Sequence, residues 1–390
     1  MRGEEWVQAA LDALGREGRL RSPSAFAEPG GRIRQDGRTW LNLSSNDYLN
    51  LARDPRLAEA AERLLRTVGS GAAASRLMTG TLECHEALER AIARFKGYPA
   101  ALLFGSGYMA NTGVIPALVG RDDFVLADRL CHASIIDGIQ LSRATLRRFA
   151  HNDAADLERQ LTGITGSGRR LVITEAVFSM DGDTAPLADT VDAAERHGAM
   201  VMVDEAHATG VFGPRGSGLI RSAGLEGRVH VSMGTLSKAL GGYGGFVACS
   251  ETLRKLLINR ARPFIYSTAL PPAMLGSALR AIAIVESEPG LGSELLARAA
   301  QLRALVQAEG LDTGRSASQI VPVMVGDNRR ALAVSERLRG QGILCVAIRP
   351  PTVPEGTARL RLSVTLAHTE DDLRLAVRAV AEAIRQEGQS

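Results

Sequence analysis

The stretch A199MVMVDEAH207 decides how the chain folds. Its first half is a short, continuous apolar run with β-branched Val201 and Val203 that breaks at once into Asp204-Glu-Ala-His207. Such a run suits a strand buried on both faces of a parallel sheet, with its polar residues emerging at the C-terminal end. Ligands of open α/β sheets bind at that end. Onward from His207 the chain reaches T235LSKALGGYGG245, where Lys238 is the only lysine between Lys96 and Lys255. The small residues around it let a flat ligand approach the backbone.

Working outward, further apolar runs read as strands at 100–104, 124–128, 171–178 and 245–249, with helical periodicity between them and a helix over 186–197. This β-α-β-α alternation implies an α/β fold, a large and mostly parallel sheet with helices on both faces. Strand ends at Ser106, Asp128, Ser179 and Asp204 then lie along one edge. F104GSGYMAN111 is a Gly-rich strand-to-helix turn. Its first amides lack intrahelical partners and can bind an anion; the competing reading is a turn that needs glycine for positive φ. Tyr108 follows directly and is placed over the mouth of the site. His132 reads as a helix cap or turn residue unless it shares a cleft with Asp204 and Lys238. The acidic M180DGD183 lacks the remaining pattern of a calcium loop, so no metal site is expected.

Toward the N-terminus, residues 5–20 carry Trp6, Ala9, Ala10, Leu11 and Leu14 on one side of a helix expected to pack on the body. Asp36-Gly37 between extended runs reads as a hairpin turn. Helices follow over 55–68 and 82–95. The small-residue stretch 69–81 between them is either a substrate loop carrying Arg76 or a tight connection. Beyond the helix at 273–286, E288PGLG292 is the best boundary. The expected division is an N-terminal helix and hairpin segment (1–50), a large ligand-binding domain (51–287) and a small C-terminal α+β domain (288–390), the last with strands near 320–325 and 343–348 and a closing helix from Asp371.

The formal charge of +3, from 46 basic and 43 acidic residues spread along the chain, gives no strong field for nucleic acid or membrane. Cys84, Cys131, Cys249 and Cys345 share no metal or redox spacing and read as reduced thiols. The N-terminus lacks the apolar core of a signal peptide, and no apolar run reaches the ~18 residues of a membrane span. A soluble cytoplasmic protein is expected.

A lysine amine can bond covalently to an aldehyde cofactor when neighbouring groups help to deprotonate it. Pyridoxal 5'-phosphate needs, in addition, a carboxylate at its ring nitrogen, a stacking group and a phosphate cradle. Asp204 supplies the carboxylate and His132 the stacking ring. His207 and Ser179 suit the phenolic oxygen; the Gly107 and Tyr108 amides, with the Thr235 hydroxyl, suit the phosphate.

The segments SSNDYL, HASIIDG, FAHND, TEAVFSMDGD, VDEAHATGVFG, TLSKALGG, IYST and IRPPTVPEGTARLRLS resemble the α-oxoamine synthases, fold type I pyridoxal phosphate enzymes, over nearly the whole chain. The resemblance implies a homodimer in which both chains build each active site, with Ser267 or Thr268 reaching the phosphate of the neighbouring subunit. It further implies a decarboxylative condensation in which Lys238 removes the Cα proton and His132 serves the acyl oxygen. Within the family, RRFAHND with VGDNRRAL and IRPPTVPEGTARLRL implies L-alanine and a pimeloyl thioester, carried by CoA or an acyl carrier protein, as the substrates of a step toward biotin. Arg361, or else Arg359, then holds the amino-acid carboxylate; Arg21, Asn46 and Thr352 match substrate-contacting positions, and Arg349 serves the pimeloyl carboxylate. The loop A74SRLMTG80 varies among the family's subgroups and leaves Arg76 without an assigned role.

The nearest rival is a relative that uses glycine or serine with another acyl-CoA, since it would share every cofactor residue. Val203-Asp-Glu-Ala-His207 also mimics the DEAH strand of a helicase, but no G-x-x-x-x-G-K-[ST] phosphate loop accompanies it. A purely structural α/β protein leaves the lone Lys238 and its glycines unexplained.

Overall fold

In the computed structural model, which describes residues 3–388, the apolar runs between 100 and 249 become strands of one seven-stranded sheet. This sheet belongs to a unit formed by Asn46–Ser179 and Asp183–Leu296; a second unit comprises the chain up to Ser45, Met180–Gly182 and the chain from Ala297 on.

In the second unit, β1 (Arg32–Gln35) and β2 (Arg38–Asn42) form the hairpin read at Asp36-Gly37. Both turn residues have positive φ, 50° and 74°, as a two-residue turn matched to strand twist requires. The large sheet follows in sequence with β3 (Ala100–Phe104), β4 (Phe124–Asp128), β5 (Thr145–Phe149), β6 (Arg170–Glu175), β7 (Met200–Asp204), β8 (Val231–Thr235) and β9 (Gly245–Cys249). Their spatial order is β3-β9-β8-β7-β6-β4-β5, with β9 antiparallel to both its neighbours and the other pairings parallel. The C-terminal strands are β10 (Ile320–Gly326), β11 (Ile343–Leu344), β12 (Ala347–Ile348) and β13 (Ala358–Ser363). β11 extends the N-terminal hairpin in parallel with β2, and β13 lies between β10 and β12.

Burial on both faces explains the continuous apolar runs. Val125, Ala127, Leu171, Ile173 and Met202 feed one core; Leu126, Val172, Val201 and Val203, their alternate neighbours, feed the other. The first core is closed by helices that include α4 (Gly107–Leu118) and α5 (Ala133–Ser142), the second by α6 (Ala154–Thr162) and α7 (Leu187–Arg196). Strand residues alternate sides, so a strand between two apolar layers has no polar side to display.

Three local expectations change. The single helix expected between His132 and Leu171 is α5, β5 and α6; β5, T145LRRF149, pairs only with β4 at the sheet edge, and its arginines hide it from an apolar count. Likewise R359LRLS363 is strand β13, with both arginines buried. Helix α1 (Glu5–Arg16) forms, but none of its residues is buried and Trp6 is 70 % exposed, so its apolar face stays uncovered. The spacing specifies which residues share a face and not what covers it.

The 69–81 stretch, which lies between α2 (Pro55–Thr67) and α3 (Glu83–Lys96), is a tight connection. A Cβ on Gly80 would stand 2.0 Å from the Ala74 carbonyl oxygen, which explains the small residues. Among the described residues no helix is long and apolar enough to cross a membrane.

Candidate active site

Where β6, β7 and β8 end, a cleft of about 180 Å³ opens against the N-terminus of α4. Lys238, Asp204, His132, His207 and Thr235 line it together with Gly107 and Tyr108. Seven positions drawn from distant parts of the sequence therefore converge.

The Lys238 Nζ stands 2.8 Å from His207 Nε2, and His207 Nδ1 stands 2.7 Å from the Tyr48 hydroxyl. With the amine donating to Nε2, the imidazole proton is on Nδ1 and is given to Tyr48, whose own O–H is donated to Asn46 Oδ1 at 3.1 Å. The chain of donors fixes the histidine tautomer and steadies the amine.

Asp204 ends β7, buried to 4 % exposure. Its Oδ1 accepts the Ala206 N–H at 2.9 Å and its Oδ2 accepts from Asn111 Nδ2 at 3.0 Å. The other Nδ2 hydrogen of Asn111 goes to Ser134 Oγ at 2.9 Å, and that hydroxyl lies 2.8 Å from His132 Nδ1. The Ser134 N–H also points at Nδ1, at 3.2 Å, so His132 carries its proton on Nε2. Asn111 thus ties the carboxylate to the imidazole. His132 is both the N-cap of α5 and a wall of the cleft. His132 keeps contact with solvent; desolvation by its surroundings lowers its pKa, Asp204 opposes and the Lys238 charge assists.

At the other end of the cleft, Ser106 caps α4 by accepting the Met109 N–H at 3.1 Å, which leaves the Gly107 and Tyr108 amides at the helix start without intrahelical acceptors. Neither Gly105 nor Gly107 has positive φ, so the turn reading of this glycine pair does not hold. The close approach is at Gly245, where a Cβ would lie 2.4 Å from the Ser106 carbonyl. The Thr235 hydroxyl donates to the Gly244 carbonyl at 2.9 Å. Tyr108 is 47 % exposed, and its hydroxyl is bonded to Asp137.

Some residues of the site sequence have structural duties. Glu205, inside the DEAH string, is fully buried and pairs with Lys96 at 2.5 Å. Arg76 is buried, pairs with Glu89 at 2.9 Å and lies 5.3 Å over the Phe264 ring, so it holds the 69–81 connection in place. His151 of FAHND bridges Asp128 at 3.0 Å and Asp183 at 2.8 Å. Burial works against its charged form, but the two aspartates outweigh it and hold the pKa up at about 9. Its ring meets Phe178 edge-on, bracing the segment that carries Ser179.

Ser179 is buried and does not line the cleft; Ser267 and Thr268 border a separate small pocket beside Arg76. In the other unit, Arg21 donates to Thr352 Oγ1 at 3.4 Å and Arg349 to the Gly18 carbonyl. Arg361 donates to Ser363 Oγ at 2.7 Å, while Arg359 pairs with Asp181 at 2.5 Å. Arg359 is thereby engaged by a carboxylate of the sequence that could be mistaken for a calcium loop. Asn111, Ser134, Tyr48 and Glu175 are the site residues that sequence reasoning missed. Tyr48 and Glu175 lie within the recognised strings SSNDYL and TEAVFSMDGD, which was the signal available for them.

The chain matches the aminotransferase class I and II family over residues 38–380. The chain belongs to that family. Among curated relatives within the aminotransferase class I and II family, the 8-amino-7-oxononanoate synthase of Anaeromyxobacter dehalogenans (strain 2CP-1) is 50% identical over 93% of this chain and 92% of its own length. That of Geobacter sulfurreducens is 48% identical over 96% and 97%. Among solved structures, a serine palmitoyltransferase from S. paucimobilis with a bound PLP-myriocin adduct superposes with a TM-score of 0.92 at 33% identity, over 99% of this chain and 98% of that one. The 8-amino-7-oxononanoate synthase of Francisella tularensis gives a TM-score of 0.79 at 29% identity, over 90% and 99%. The architecture is therefore that of fold type I pyridoxal phosphate enzymes.

Proposed function

We propose that the protein is a pyridoxal phosphate-dependent acyltransferase that condenses L-alanine with a pimeloyl thioester, with loss of CO2, to give 8-amino-7-oxononanoate for biotin formation. The observation that carries this reading is the convergence of the Lys238 amine, the Asp204 carboxylate and the His132 ring in one cleft, joined to about half identity with synthases of that name. Identity to the Anaeromyxobacter and Geobacter synthases, 50% and 48%, exceeds the 33% to the palmitoyltransferase, which shares the shape, and this favours alanine over serine.

The donor set suits the cofactor. Unpaired amides at the start of α4 match a phosphate, a buried carboxylate matches a ring nitrogen, and an amine stands between them. When bound, pyridoxal phosphate supplies a sink for electrons released at the amino-acid Cα. Asp204, buried and twice hydrogen-bonded, would hold the ring nitrogen. Lys238 Nζ would hold the cofactor and is the group placed to take the alanine Cα proton, with His207 at 2.8 Å as its hydrogen-bond partner. His132 would stack on the cofactor ring and offer its Nε2 proton to the acyl oxygen. His207 would serve the phenolic oxygen, and Gly107, Tyr108 and Thr235 the phosphate. Arg361 takes the alanine carboxylate; Arg21, Asn46, Arg349 and Thr352 receive the acyl substrate. The active form is a cytoplasmic homodimer in which Ser267 or Thr268 completes the phosphate site of the other chain, and the acyl group arrives on CoA or on an acyl carrier protein.

The test is thiol release from pimeloyl-CoA and from pimeloyl-acyl carrier protein, each offered with L-alanine, glycine or L-serine. Release with alanine alone is expected. Release only with glycine or serine and a different acyl-CoA refutes the substrate assignment, and a protein that takes up no pyridoxal phosphate refutes the cofactor.

A further inference from the structure

Glu175 is the one acidic side chain of the cleft that the proposed chemistry does not use. It ends β6, is 3 % exposed, and pairs in parallel register with Asp204 at the end of β7. Register partners on adjacent strands leave the sheet on the same face, so the two carboxyl groups share one side of the cleft. Their hydrogen bonding differs. Asp204 accepts from Ala206 N–H and from Asn111, whereas Glu175 Oε1 accepts from the His132 main-chain N–H at 2.5 Å. That N–H precedes α5, whose N-cap is His132 itself, so no intrahelical acceptor is available for it.

We propose that Glu175 is a positioning residue: its carboxyl group carries the His132 main chain and so holds the imidazole at the cleft wall. Carboxyl groups on register partners of adjacent strands, both lining one desolvated cleft, oppose each other's ionisation. Burial first, and the charge of Asp204 next, push the Glu175 carboxyl well above the usual carboxylate range, against the opposing pull of the His132 N–H and of Lys238. A second anion beside Asp204 would also over-neutralise the single ammonium of the cleft. His132 is thereby held at two points, its main chain by Glu175 and its ring by Ser134 and Asn111.

The inference rests on the cleft being the pyridoxal phosphate site, and the experiment separates the two. Wild type, E175Q and E175M are prepared as apoprotein and titrated with pyridoxal phosphate, and the pH dependence of the bound cofactor's visible absorption is recorded beside kcat and the infrared carboxyl region. E175Q keeps an uncharged acceptor for the His132 N–H, while E175M fills the space without one. The expected result is a protonated-carboxyl band in wild type that E175Q lacks, with cofactor affinity, absorption pH profile and kcat of E175Q within about twofold of wild type. E175M should lose about tenfold in kcat, the worth of one hydrogen bond to an ordered main chain. If E175Q behaves like E175M, or shifts the absorption pH profile, Glu175 acts through its charge and the proposal is overturned. Wild-type activity in E175M overturns it equally. If E175M does not fold, the comparison of E175Q with wild type still decides. Failure of the wild type to bind pyridoxal phosphate instead removes the cofactor reading, and this inference with it.

Discussion

Replacing Lys96 with methionine removes the cation from a pair that is almost wholly out of water, with side chains 1% and 0% exposed and a separation of 2.5 Å. Breaking such a pair from one side costs about 3–5 kcal/mol, because an uncompensated charge stays buried. Glu205 keeps two donors after the change, the Ser232 hydroxyl and the Ile220 N–H, both at 3.0 Å. These place K96M near the lower end, at about 3 kcal/mol. The double variant K96M/E205Q removes both charges and leaves an amide for the same donors, so its cost should fall to about 1 kcal/mol. The coupling between the positions is then about 2 kcal/mol or more. Native-state hydrogen exchange suits the measurement because it reports opening at chosen amides of a chain with two units. The Glu205 N–H, bonded to the Met233 carbonyl at 2.8 Å, and the β8 amides are the probes. A K96M cost below about 1 kcal/mol, or a double variant no more stable than K96M, would refute the claim that charge burial governs this pair.

Lys238→Ala should abolish turnover while pyridoxal phosphate still binds weakly through its phosphate end; turnover at the wild-type rate would remove the mechanism, and equilibrium dialysis follows the binding. The His151 pKa, raised from 6.5 to about 9, means that the folded state holds this proton more tightly than the unfolded chain. Its stabilisation is complete below pH 6.5 and lost as pH rises through about 9, a loss of about 3 kcal/mol by linkage. Urea unfolding of wild type and H151F on either side of that window should show the difference in wild type alone. Gly245→Ala puts a methyl 2.4 Å from the Ser106 carbonyl. It should cost about 1–3 kcal/mol by overpacking and weaken binding of pyridoxal phosphate by shifting the start of α4; unchanged affinity in a cofactor titration would show that the helix start is not the phosphate cradle.

The central strands were legible because burial on both faces leaves only apolar residues between polar ends, as in A199MVMV203 before Asp204. The edge strand β5 was not, since a strand with one neighbour can carry arginines outward. Strand β13 was missed for the opposite reason, because its arginines are buried, with Arg359 ion-paired to Asp181 and Arg361 bonded to Ser363. The exposed face of α1 shows that periodicity alone does not supply a partner surface.

The sequence by itself determined the α/β alternation, the polar strand ends and the residue types that pyridoxal phosphate chemistry requires, because each of these is written in local pattern. Only the tertiary structure decided which of two histidines meets Lys238, that Asn111 links Asp204 to His132, that Glu205 serves Lys96 and not the cleft, and that Glu175 lies beside Asp204. Those relations depend on strand register and on helix placement across separations such as the 93 residues between Asn111 and Asp204. Local chemistry names the groups, and long-range packing chooses their partners.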